Sequence, residues 1–104
     1  MSEQIRVSEL PDFDPAEYLR DAEDIAGYLS AVLEEDDPGA VIEALGTIAR
    51  ARGMTEIARE SGLAREALYR ALREGASPRF DTVLRVMRAL GVRLVAEPDG
   101  RQAA

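Results

Sequence analysis

Arg65, Glu66, Tyr69, Arg70 and Arg73 are side chains suited to nucleic acid, all within one short stretch of the chain. Their spacing of three and four residues keeps them on one side of a helix, with the first of them at its N-terminal end. A guanidinium pairs bidentately with guanine, and a tyrosine touches a phosphate or the methyl group of thymine. Base contacts are therefore expected from Arg65, Glu66, Tyr69 and Arg70. Phosphate contacts are expected from Thr55 with the N-terminal end of its helix, and from Arg73 and Arg79.

Other chemistry has little to work with. The chain contains no cysteine and no histidine, which removes thiol nucleophiles, disulfides, most zinc-ligand sets and the commonest general base. Asp21, Glu23 and Asp24 are too close together and too exposed on a helix to hold a shifted pKa, and no pocket is implied around them. The expectation is a binding module with no catalytic residues, no metal and no cofactor.

The elements that must position the five side chains are two short helices. The stretch MTEIARESGLAREALYRALRE has the form of a helix-turn-helix, with helices over about 55–60 and 65–74. Ala58 is small where the helices meet, and Gly62 sits in the turn where a left-handed backbone is needed. Ile57, Leu63, Leu68 and Leu72 supply the apolar contacts that lock the crossing angle, which leaves the arginine-bearing side of the second helix outward. Two residues depart from the pattern: Ser61 stands where an apolar side chain usually faces the core, and Ala64 stands where Ser, Thr or Asp usually caps the second helix. Between Arg59 and Arg88 there are seven arginines and four acids, a sign that suits a phosphate backbone.

Around this unit the chain is short and divided in charge. Its 104 residues, 46% apolar and 32% charged, fit one compact core. Residues 1–45 hold 13 acids against two arginines, a balance of −11, whereas residues 46–104 hold seven acids against 11 arginines, a balance of +4. Two surfaces of opposite sign, facing two different partners, follow from that segregation. The start has no signal-peptide pattern and no stretch approaches the length of a membrane span, so a cytoplasmic protein with no membrane contact is expected. Residues 1–13 read as an arm in which IRVSEL alternates like a strand, and residues 98–104 as a flexible tail. The domain between, 14–97, holds the helix-turn-helix at 54–74. Asp14-Pro15 marks a helix start. A further helix over about 21–35 carries Ala22, Ile25, Ala26, Leu29, Val32 and Leu33. Asp37-Pro38 starts another, buried through Val41, Ile42, Leu45, Ile48 and Ala49 and ended by a left-handed Gly53. The last helix, about 80–90, has Phe80, Val83, Leu84, Met87 and Leu90 on its apolar face, and Val92–Ala96 alternates like a short strand whose edge invites either a second copy or the IRVSEL segment of the same chain.

The segment ARARGMTEIARESGLAREALYRALREGASPRFDTVLRVMRALGVRL resembles the helix-turn-helix core of the probable addiction-module antidote family, the HigA-like antitoxins. FDPAEYLRDAEDIAGYLSAVLEEDDPGAVIEALG resembles that family's leading region, so the resemblance spans roughly residues 12–97. It implies an all-α fold of five to six helices, lambda-repressor-like, with short terminal strands admitted. It also implies binding of operator DNA as a homodimer, autorepression of the operon, and neutralisation of a small basic RelE/ParE-like toxin. The alternative on the same motif is a stand-alone phage-type repressor without a toxin partner.

Overall fold

The computed structural model describes Leu19 and residues 21–100. The strand expected in IRVSEL, the helix start at Asp14-Pro15 and most of the tail lie outside the described residues. Five helices follow one another: α1 (Ala22–Leu33), α2 (Pro38–Arg52), α3 (Met54–Ser61), α4 (Arg65–Leu72) and α5 (Phe80–Ala89). All regular structure among the described residues is helical.

The first two helices begin where local chemistry demands it. Asp21 accepts a hydrogen bond from the Asp24 N–H at 2.9 Å and so caps α1. Asp37 accepts from the N–H groups of Gly39 (3.1 Å) and Ala40 (3.3 Å), while Pro38 occupies a first-turn position that needs no donor. The remaining three start at Gly53, Ala64 and Arg79 with no side-chain cap. Packing outweighs that deficit. A missing cap costs about 0.5–2 kcal/mol, whereas Ile57, Leu68 and Val86, one from each of these helices, are wholly buried and contribute about 1.5–3 kcal/mol apiece.

Leu19, Ile25, Leu45, Ile48 and Leu90 complete the centre of the core. α2 is the hub: it lies against α1 on one side and against α3 and α4 on the other, and α5 closes over α3. Gly46 permits the closest of these approaches, because a Cβ there would stand 3.0 Å from the Leu72 carbonyl oxygen at the end of α4.

Four expectations are corrected. Val92–Ala96 forms no strand. The Val92 N–H instead returns to the Met87 carbonyl and Gly91 N–H to that of Arg88, both at 3.0 Å, so the segment finishes α5 as a Schellman turn and then runs on with no neighbouring strand to pair with among the described residues. The expected face of α5 holds at Met87 and Leu90, which are buried, and at Val83, which packs against the core, but Val86 is fully buried beside them and Phe80, in the first turn, is 64% exposed. In α1, Ile25 and Leu29 are buried while Ala22, Ala26 and Leu33 are exposed. Gly53 does take a positive φ, 107°, but with ψ 113° it joins two helices end to end instead of adopting the left-handed helical conformation.

Candidate nucleic-acid interface

The turn between α3 and α4 is built by three residues. Gly62 takes φ 78° and ψ 12°, a left-handed conformation that costs other residues about 1–2 kcal/mol. Its N–H and that of Leu63 both reach the Ala58 carbonyl, at 3.1 and 3.2 Å. Ser61, one of the two departures from the sequence pattern, is buried without penalty. Its hydroxyl donates to the Ala58 carbonyl at 3.2 Å and accepts from the Leu63 N–H at 3.4 Å, so the polar atom that enters the core brings its own partners. Ala64, the other, leaves α4 without a side-chain cap.

From this turn α4 projects with Leu68 and Leu72 buried and Arg65, Glu66, Tyr69 and Arg70 exposed, whereas Arg73, expected on a helix running to 74, stands exposed just past the end of α4 on extended backbone (φ −79°, ψ 160°). The Arg65 guanidinium lies 5.4 Å from the centre of the Tyr69 ring, and its terminal nitrogen donates to the Tyr69 hydroxyl at 3.3 Å. One arginine is thereby held in place by a cation–π contact along its own helix, while the 43%-exposed ring keeps one face available. Among the described residues no carboxylate pairs with Arg70 or Arg73.

Arg70, Arg73 and Arg79 line a hollow beside the loop between α4 and α5, together with Leu63, Ala67, Thr82 and one acid, Glu74. Thr55, in the first turn of α3, is exposed. Its helix is tied by an ion pair between Glu56 and Arg59, whose hydrogen bond holds the Glu56 carboxyl below its usual range and the guanidinium above its own. Arg79 is engaged by Asp81 at 3.0 Å, and that hydrogen bond holds the aspartate below the ordinary carboxylate range. A phosphate approaching Arg79 competes with Asp81.

Arg85 and Thr82 were not among the sequence-derived candidates. Arg85 is exposed and carries a guanidinium nitrogen 3.8 Å from where a Cβ on Gly62 would stand, so it lies over the turn. Spacing along α5 offers no signal for that proximity, which exists only because α5 packs across α3. No group of three or more acidic residues among the described ones is arranged to hold a metal ion, and no described helix is long and apolar enough to cross a membrane.

Comparison with known proteins decides the lineage. A family model described as probable addiction module antidote protein matches residues 9–98.

The chain belongs to that family.

A relative from Haemophilus influenzae (strain Rd), described as an uncharacterized protein, is 49% identical over 84 residues, covering 81% of this chain and 87% of its own length. No solved structure matches. As a member of an antidote family the protein is a regulatory component of an addiction module, which implies a toxin as its counterpart.

Proposed function

We propose that this antidote is an operator-binding, HigA-like antitoxin. α3 and α4 act as a helix-turn-helix with α4 in the major groove, a homodimer represses its own operon, and the same chain neutralises a small basic RelE/ParE-like toxin. The observation that carries the DNA half of this reading is the exposed α4 face, where Arg65, Tyr69 and Arg70 project from a helix anchored by two buried leucines, with Arg73 just past its end, beside a hollow lined by three arginines.

The geometry is consistent with one division of labour within this proposal. Arg65, Glu66, Tyr69 and Arg70 stand on the outer side of α4 and read base edges. Arg73, Arg79 and Thr55, with the first-turn N–H groups of α3, flank that side and hold phosphates. A twofold homodimer sets its two recognition helices about 34–36 Å apart, one turn of DNA. The stand-alone repressor alternative has no observation in its favour within a family of antidotes.

Two measurements test the proposal together. The full chain is titrated onto its own promoter DNA in a gel shift, and it is co-expressed with the product of the adjacent reading frame. A sharp shift on the promoter and relief of a growth arrest caused by the neighbour support both halves. A shift without any toxic neighbour leaves a plain repressor, and relief without a shift leaves an antitoxin that does not regulate its operon.

A further inference from the structure

On the other side of the α4–α5 loop opens a second groove, and its chemistry is opposite to that of the arginine-lined hollow. Leu33, Pro38, Val41, Phe80, Val83 and Leu94 line it. Phe80, Leu94 and Leu33 are 64%, 43% and 36% exposed, although large apolar side chains gain most from being covered. Asp36 and Asp37 stand on the rim.

Asp36 and Asp37 belong to the turn after α1, a helix with no basic residue in its last turn, and Glu34 and Glu35, which do not themselves line the groove, precede them in that turn as exposed carboxylates. Carboxylates placed at the negative end of a helix oppose its dipole. Tyr28 feels the same field: burial pushes its phenol pKa up, and the carboxylates of Glu43 and then Glu35 push it further. A cation docked beside this acidic turn meets carboxylates of opposite sign while an apolar stripe covers the groove.

We infer that this groove is the toxin-binding surface and that its occupant is a basic amphipathic segment of the toxin, with apolar side chains on Phe80, Leu33 and Leu94 and arginines or lysines against Glu34 to Asp37. The inference rests on the antitoxin reading above and names the surface which that reading leaves open. Charge disfavours the other occupants. Residues 1–18 of this chain carry five acids and one arginine, the same sign as the rim, and a second copy pairing this face with itself brings two carboxylate rims together.

The test uses the full chain and the product of the adjacent reading frame, with growth relief in cells and the dissociation constant of the purified pair at low and high salt. Phe80→Ser raises Kd at least about tenfold, as removal of a central aromatic anchor does, and Phe80→Leu recovers most of the loss. The double variant Glu34→Lys, Glu35→Lys weakens binding at low salt, and the gap narrows at high salt where exposed charges are screened. Circular dichroism melts verify that each variant is folded. An unchanged Kd in Phe80→Ser overturns the assignment. So does a dimer that becomes monomeric in Phe80→Ser with its toxin affinity intact, because the groove then belongs to a second copy. A wild-type chain that fails to relieve the arrest overturns the antitoxin reading itself and this assignment with it.

Discussion

Arg70 is the residue on which the DNA reading can be tested most directly, since it is exposed on α4 and unpaired by any described carboxylate. If it reads a base, Arg70→Ala lowers operator affinity by about 1–3 kcal/mol and relaxes preference at one base pair. Titration against the native operator and single-base variants checks both parts. Arg79 gives a prediction of opposite sign. Asp81 occupies its guanidinium, so Asp81→Asn frees the donor and removes a negative charge near the phosphates; operator affinity is expected to rise about threefold at low salt and to converge with wild type as salt increases. Glu56 links a residue to pH. Its carboxyl is held below the ordinary value of 4.5 by the Arg59 hydrogen bond, so its stabilising contribution is complete above 4.5 and disappears as pH falls through the lower folded value. Thermal melts of wild type and Glu56→Gln should therefore differ slightly at neutral pH and converge in acid.

Among the elements, the α3–α4 pair is the one whose local rules can be changed singly. Ala64 has the extended backbone of an N-cap but no acceptor on its side chain. Ala64→Ser is expected to raise stability by about 0.5–2 kcal/mol, read as a higher Tm or denaturant midpoint. Gly62→Ala places a Cβ at φ 78° and is expected to cost about 1–2 kcal/mol. These two helices were legible in the sequence because Ile57, Leu68 and Leu72 repeat at helical spacing and Gly62 marks the turn. α2 was legible from Asp37-Pro38, where cap and first turn are written side by side. Three things were not. The Val92–Ala96 alternation looks like a strand, but a strand needs a partner and the backbone there is committed to ending α5. Phe80 fits the apolar stripe of α5 by number, yet it stands in the first turn, ahead of the part of the helix that crosses the core. Gly46 carries no sequence signal at all, because what requires it is the Leu72 carbonyl, 26 positions away and 3.0 Å from its missing Cβ.

Over the whole molecule, the segregation of charge along the chain becomes two hollows of different character on either side of one loop, Gly75–Pro78, which lines both. The basic hollow was half visible in the sequence: Arg73 and Arg79 were candidates for phosphate, but that Arg70 joins them depends on how α4 and α5 meet. The apolar groove was not visible, since Leu33, Phe80 and Leu94 each read as core or strand until the packing left them outside. The arrangement of caps has a consequence for motion. The two helices of the acidic half fasten their first-turn N–H groups to Asp21 and Asp37, whereas α3, α4 and α5 leave theirs without a side-chain acceptor. Among the helix starts, local opening is therefore expected to be cheaper at α3, α4 and α5 than at α1 and α2, and their leading amides are expected to trade hydrogen for deuterium ahead of the capped ones.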